Sequence, residues 1–365
     1  MRDNKKGRSG ILWRTLVLLA ALSVLVTACG DDDTAATTAA PATTAAPDFG
    51  TLKVAQVGFG ITQSIIGIAN AGGFFEAEGF SGVEQIETGG GGSAVAALLA
   101  GDADVGVMGS SEVVNVISLG EDLVFLGGLY KGFPVFQSVR FELIEETGIS
   151  VSDSLEDRVR ALAGRKMGVL GPGSTVDTFG RFILESFGLD PDTEAEIIPF
   201  DGVSTLVAGF QSGAIDSMPL ANPFTAQMEA EGLGVTLISG TEFPEFEGYL
   251  QNGITARPSD VEKDPARYEA FWRAMVKAMA FILESPDEAR DILKAFFPTT
   301  DDDVFAKVWE IEMNPQGGPV YLTATNPIVT PADLEKVIAF KKLEGVDPAA
   351  IIDTSILEKV LAEEG

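Results

Sequence analysis

The residues of this chain best suited to chemistry are small hydroxyl and amide side chains set in glycine turns. Gly171-Pro172-Gly173-Ser174-Thr175 follows the apolar run Met167 to Leu170 and precedes a helical pattern through Phe179, Phe182, Ile183 and Phe187. Glycines let the backbone turn sharply, and Ser or Thr caps the helix that follows. Free N–H groups and the positive end of the helix dipole then form a cradle for an anion or a polar group. An ordinary capped turn reads equally well from these residues alone. The turn is not a nucleotide loop: Gly168 to Gly173 has P-loop spacing, but Ser174 stands where the phosphate-binding Lys belongs. Comparable groups follow other apolar runs, namely Thr62 and Gln63, Ser110 and Ser111, and Asn222. Together they suit hydrogen bonding to a small polar solute, although each also serves as a turn or cap residue.

Bond-making chemistry has little to work with. The 365 residues include no histidine and one cysteine, Cys29. Zinc sites of the usual kind, Ser-His-Asp triads and Cys-His pairs are excluded, and neither a metal nor another cofactor is expected.

The elements that position these groups alternate between strand and helix. Leu52 to Val57 reads as a strand, followed by Gly58-Phe59-Gly60-Ile61-Thr62-Gln63, a helix over Ile65 to Phe75 and a strand near Val83 to Ile86. Gly89 to Gly92 is a flexible or hinge-like turn. Ser93 caps the helix Ala94 to Ala100, Gly101 ends it, and the strand Val105 to Met108 runs into Gly109-Ser110-Ser111-Glu112. This order recurs at an offset of 112, matching Thr62 and Gln63 to Ser174 and Thr175, Gly90 to Gly202, Asp104 to Asp216 and Ser110 to Asn222. The match predicts two doubly wound α/β lobes of like architecture, each presenting two loops at the carboxyl ends of its strands. Facing each other, the lobes would line one cleft.

Leu123 to Val139 and Tyr249 to Thr255 are extended apolar runs that read as a two-strand hinge between lobes. Tyr130, Phe133 and Phe136 wall the cleft or fill the core. Lys131 and Arg140 are candidate anion partners or surface charges, while Glu112 and Asp177 would favour an amine or ring N–H if they face inward. After Asp264-Pro265 the chain turns helical, with an apolar stripe at Phe271, Met275, Ala278, Met279 and Ile282 and further helices at 287–297, 302–313, 332–343 and 354–363. These are expected to pack on the first lobe, with the loop Asn314 to Asn326 in reach of the cleft.

At the other end, Lys5, Lys6, Arg8 and Arg14 precede the apolar run Leu16 to Val26 and then Thr27-Ala28-Cys29. A basic head, a short apolar stretch and small residues are the parts of an export signal. The Thr/Ala/Pro stretch that follows has nothing to bury and would act as a loose tether of roughly 25 Å. The reading is therefore a signal at 1–28, a tether at 29–48, a first lobe at 49–137 with 250–365, and a second lobe at 138–249. Residues 1–28 carry five Lys/Arg and one Asp, so their removal takes the net charge from −29 to −33. Such acidity argues against nucleic acid as a partner.

Several stretches in combination resemble one bacterial family. They are Lys53-Val54-Ala55, Gly72-Gly73-Phe74-Phe75-x-x-Glu78-Gly79, the glycine-to-helix run Gly89 to Ala97, Leu98-Leu99-Ala100-Gly101-x-x-Asp104, Gly106-x-x-Gly109-Ser110-Ser111, Leu162-Ala163-Gly164-Arg165-Lys166-x-Gly168-Val169 and Gly171-Pro172-Gly173-Ser174. They are similar to solute-binding proteins of ABC importers in the nitrate/sulfonate/taurine and thiamine-precursor group, and Val26 to Cys29 resembles a lipobox. The resemblance implies a periplasmic-binding-protein fold of the second type, in which two lobes close on a solute for a membrane permease and its ATPase. It implies that the Ser110-Ser111 and Gly173-Ser174-Thr175 turns contact the solute. It also implies an extracytoplasmic monomer held at the membrane by lipidated Cys29. Asn222 departs from the family's pattern, where an acidic residue often precedes the following Pro, and so weakens the case for a cationic ligand group. A small sulfonate or other organic anion is the first expectation for the solute and a thiamine-precursor pyrimidine the second. A pyrimidine-precursor synthase of the same broad fold would need the histidine and cysteine cluster this chain lacks. A sensor or structural lipoprotein shares the signal and tether and is not separated by them.

Overall fold

The structure is a computed structural model that describes residues 47–364. The export signal, Cys29 and most of the Thr/Ala/Pro stretch lie outside the described residues. From residue 47 the chain is a two-lobed α/β fold with two five-stranded mixed sheets flanked by helices.

The first sheet begins with β1 (Gly50–Gln56), α1 (Ser64–Ala71), α2 (Phe74–Ala77), β2 (Phe80–Glu87), α3 (Gly91–Ala100), β3 (Val105–Gly109), α4 (Ser110–Ser118) and β4 (Val124–Lys131). The chain then crosses into the second sheet through residues 132–135. There it forms β5 (Phe136–Arg140), α5 (Phe141–Thr147), α6 (Leu155–Arg160), β6 (Lys166–Leu170), α7 (Thr175–Glu185), β7 (Glu196–Phe200), α8 (Val203–Gln211), β8 (Ser217–Leu220), α9 (Phe224–Ala230) and β9 (Gly234–Ser239). Residues 240–249 return it to the first sheet as β10 (Leu250–Ala256). Seven helices follow among the described residues: α10 (Pro258–Lys263), α11 (Pro265–Glu284), α12 (Pro286–Lys294), α13 (Asp302–Glu312), α14 (Pro319–Thr325), α15 (Pro331–Phe340) and α16 (Ser355–Glu364).

The two sheets have the same topology, β2-β1-β3-β10-β4 and β7-β6-β8-β5-β9. In each, the fourth strand is antiparallel because it arrives by crossing from the other lobe. The likeness extends to single bonds. The Lys53 N–H donates to Asp104 Oδ2 at 2.7 Å and the Lys166 N–H to Asp216 Oδ2 at 2.8 Å. Asp104 N–H and Asp216 N–H return bonds to the same two lysine carbonyls. Each Asp thus pins a parallel strand of its sheet, β1 at its middle and β6 at its first residue. The offset of 112 holds for this Asp pair and for the helix starts at Gly90 and Gly202, but is 113 at the first strand, where Lys53 matches Lys166.

Two local expectations change. The helix expected over Ile65 to Phe75 is broken at Gly72-Gly73, where Gly73 takes φ +76, so Phe74 starts a separate turn of helix. Gly90, not Ser93, is the N-cap of α3, because the helix starts within the glycine run itself. At the start of α15 the Thr330 N–H and hydroxyl both donate to Asp333 Oδ2, at 2.8 and 2.9 Å.

The apolar stripe of α11 is buried, as is Trp272 beside it, in a core shared with α1, α12, α14 and α16. Each large side chain sealed there contributes about 1.5–3 kcal/mol of transfer free energy. Residues 314–326, read as a loop in reach of the cleft, contain α14, which packs on β4.

Candidate functional site

The cleft between the lobes encloses about 120 Å³ and is lined from both of them. From the first come Val57, Phe59, Thr62, Gln63, Gly91, Gly109 and Glu112. From the second come Leu170, Ser174, Thr175, Val203, Leu220 and Phe224. Pro134 and Val135 in the first crossover, with Gln251 and Asn252 at the start of β10, close its back. These positions follow from topology, since parallel strands of both sheets end here. Six helices, α1, α3, α4, α7, α8 and α9, start at or beside this wall.

Glu112 in the first turn of α4 is the centre of the polar network. Its Oε1 accepts the Thr175 N–H at 3.1 Å, and its Oε2 accepts the Ser111 hydroxyl at 2.9 Å. Ser111 Oγ and Thr175 Oγ1 are 3.0 Å apart. The helix start read as an anion cradle thus holds a carboxylate supplied by the opposite lobe. Close backbone on either side leaves room for this: a Cβ on Gly91 would stand 2.5 Å, and one on Gly109 2.2 Å, from the Glu112 side chain. Burial pushes the Glu112 carboxyl up, against the hydrogen bonds of Ser111 and Thr175 and the charge of Lys341.

Of the residues singled out in the sequence, Thr62, Gln63, Ser174 and Thr175 line the cleft. Gln63 turns its Oε1 inward on its own loop, accepting from Gly60 N–H at 2.9 Å and Thr62 Oγ1 at 2.9 Å. Ser174 caps α7, accepting the Asp177 N–H at 3.2 Å. Ser110 is fully buried just behind the wall, and Ser111 reaches the network through Glu112. Gly173 lies in an outer cavity with Gly90, Gly91 and Gly92, on the other side of Glu112. Asn222 is buried, accepting the Thr225 hydroxyl at 2.8 Å.

Four charged candidates divide. Glu112 faces the cleft. Asp177 instead accepts the Gly173 N–H at 2.7 Å and pairs with Arg181 at 3.0 Å, a capping role. Lys131 donates to the Ile328 carbonyl and lies 3.5 Å from Asp333. Arg140 donates to the Phe210 carbonyl and to Glu142. Tyr130 and Phe133 are core residues, and Phe136 on β5 pairs with Leu220 of β8 and Ser239 of β9 and is not among the cleft-lining residues. Phe59 and Phe224 wall the cleft instead, with Phe59 stacked on Phe296 at 4.2 Å.

Gln251 and Asn252 were not singled out. Both are buried, and Gln251 Oε1 and Asn252 Oδ1 have no hydrogen-bond partner. The signal available in the sequence was an amide pair interrupting an otherwise apolar strand.

One further contact links the lobes. Gly89 has φ +74, and a Cβ there would stand 2.7 Å from the Asp201 carbonyl oxygen of the opposite lobe. Gly89→Ala is therefore expected to hold the lobes apart and weaken solute affinity. The positive φ costs about 1 kcal/mol of folding stability in addition. Calorimetric titration and thermal melting of the same variant separate the two effects; unchanged affinity would remove Gly89 from the closing contact.

Residues 48–296 match the NMT1-like family. The chain is 24% identical over 262 residues to the protein YtlA of Bacillus subtilis (strain 168), covering 69% of this chain and 72% of that protein. A protein from Bordetella bronchiseptica RB50 superposes with TM-score 0.70 at 18% identity, covering 86% of this chain and 98% of that one. The alkanesulfonate-binding protein SsuA from Xanthomonas axonopodis pv. citri, bound to MOPS, does so with TM-score 0.62 at 15% identity, covering 84% and 99%. The two sheets with exchanged fourth strands are the periplasmic-binding-protein architecture of the second type. Among the described residues, no group of three or more His, Cys, Asp or Glu is placed to hold a metal ion. The chain belongs to the NMT1-like family, among the extracytoplasmic solute-binding proteins of the ABC-transporter superfamily.

Proposed function

We propose that the chain takes up a small solute rich in N–H donors, of the aminopyrimidine kind found in thiamine precursors, and passes it to an ABC permease from a lipid anchor at Cys29. The observation that carries this reading is the set of acceptors in the cleft. Of the lining residues, Glu112 alone carries a charge, and the buried Gln251 Oε1 and Asn252 Oδ1 beside it have no donor. Buried acceptors left without a donor cost about 1–3 kcal/mol each, so a ligand that brings N–H groups is favoured. Phe59, Phe224, Val57 and Leu170 offer apolar faces to a flat ring.

An organic anion is the second reading, and the sequence alone ranks it first. The helix starts around the cleft favour it, as does the similarity to an alkanesulfonate-binding protein. Against it stands the Glu112 carboxylate. Two like charges about 4 Å apart at an effective dielectric of 20 repel by about 4 kcal/mol. The two helix ends that one headgroup can touch return up to about 2 kcal/mol each in a partly buried site, which at best offsets it.

Thermal-shift measurements on the purified protein test the ranking. 4-Amino-5-hydroxymethyl-2-methylpyrimidine at 100 times its Kd should stabilise by about 2.7 kcal/mol, with taurine and ethanesulfonate inert. Stabilisation by the sulfonates alone would reverse the assignment. For the anchor, Cys29→Ala should abolish labelling by a palmitate analogue in cells.

A further inference from the structure

The helices after residue 296 lie beyond the family match, yet one of them reaches the cleft machinery. Helix α15 packs on α4 and β10 of the first lobe. It ends at Phe340, whose ring meets Phe246 at 5.0 Å, Phe133 at 5.8 Å and Tyr249 at 5.8 Å, so that it touches both crossovers. The next two residues cross to the other lobe. Lys341 Nζ donates to Thr178 Oγ1 at 3.1 Å and to the Gly173 carbonyl at 3.3 Å, and Lys342 Nζ pairs with Glu185 at 2.7 Å. All three acceptors belong to α7 or to the turn that starts it.

The backbone is bent to allow this. Lys342 has φ 54 and is the one non-glycine residue among those described in the left-handed region. Lys341, Lys342 and Leu343 N–H groups bond back to Val337, Ala339 and Ile338, a helix end where glycine is usual. A side chain held in that conformation marks a place where surrounding contacts override a local preference.

We propose that Lys341 is a positioning residue for solute capture, clasping the Gly173–Thr178 segment of one lobe to the C-terminal helices of the other. It is not among the residues lining the cleft. The charge of the same ammonium also opposes the effect of burial on Glu112. From α7, Asp177 is already paired with Arg181. From the second crossover, Tyr249 presents a buried hydroxyl that burial and the Glu112 charge keep protonated, and Ser111 on α4 is neutral. Loss of Lys341 therefore both loosens the clasp and leaves burial unopposed by a cation in setting the charge on Glu112.

The effect on solute affinity rests on the cleft being the solute site, but two readouts need no solute. In purified full-length Lys341→Met, small-angle scattering should give a larger radius of gyration than wild type. The Glu112 carboxyl resonance, assigned by its loss in Glu112→Gln, should titrate at higher pH than in wild type. Lys341→Arg should restore both. Lys342→Met, which breaks only the outer pair, should leave the Glu112 titration unchanged. Calorimetry with 4-amino-5-hydroxymethyl-2-methylpyrimidine should show affinity reduced about 10-fold at pH 7 in Lys341→Met. If the radius and the Glu112 titration match wild type, the clasp is wrong even where the pyrimidine binds. If the pyrimidine binds no form while both move as stated, the solute assignment fails and the clasp stands.

Discussion

Glu112→Gln should reduce affinity for an aminopyrimidine solute by about 10- to 100-fold, the loss of one hydrogen bond to a charged acceptor. The amide keeps the volume that Gly91 and Gly109 enclose, and its oxygen can still accept the Thr175 N–H. The melting temperature is therefore expected to change little, and the affinity loss reports charge. Acid should mimic the substitution. Burial raises the Glu112 carboxyl, so lowering the pH protonates it before ordinary surface carboxylates and converts an acceptor into a donor. Wild-type affinity, measured relative to the Gln variant at each pH, should fall toward the variant's as the pH drops. An organic anion would show the opposite sign: acid and Glu112→Gln would both strengthen binding. Titration calorimetry with both solute classes at several pH values decides it, and equal affinities in wild type and variant would remove Glu112 from recognition altogether.

The role of Glu112 shows what the sequence reveals and where it stops. Strand ends and helix starts were legible because apolar runs stop at glycine, as at Leu170–Gly171 and Met108–Gly109, and parallel strands bring those stops to one edge. Side-chain direction was not legible. Glu112 and Asp177 are both first-turn acids, yet Asp177 bonds back to its own turn while Glu112 crosses to the other lobe. Only the approach of the two lobes separates them. Gln251 and Asn252 sit at the start of a strand whose pairing with β4 shifts register between Leu250 and Gly253, so their placement depends on irregular pairing. Lys131 and Arg140 were open candidates because carbonyl groups that absorb their charge lie far away in sequence, at Ile328 and Phe210. The aromatic residues divided for a similar reason. Phe133 stacks on Phe246 at 3.8 Å, a partner 113 positions away that fixes it in the hinge core instead of the cleft.

The other large effect lies away from the cleft, at the last residue of α13. Glu312 is buried, and its Oε2 accepts the Tyr130 hydroxyl at 2.7 Å, tying the C-terminal helices to the strand that leaves the first lobe. Burial raises its carboxyl from 4.5 to about 7, with the Tyr130 hydrogen bond only partly opposing the shift. A folded-state value above the unfolded one means that the folded protein holds the proton more tightly. This contribution is fully present below about pH 4.5 and is lost as the pH rises through about 7, a span of about 3 kcal/mol. Glu312→Gln removes the titration but retains an oxygen for Tyr130, whose own proton burial and Glu312 hold well above the usual range. Urea unfolding should therefore find the variant close to wild type at pH 5. At pH 8 it should be more stable by about 2–3 kcal/mol, since Gln avoids the charge but adds a buried amide donor. The many surface carboxylates titrate alike in both proteins and cancel in the difference. A variant-minus-wild-type difference that does not change with pH would mean that Glu312 meets water in the folded state and that its bond to Tyr130 is not sealed. If the difference grows with pH, the junction between hinge strand and C-terminal helices is held by a proton at acid pH and strained by its loss above neutrality.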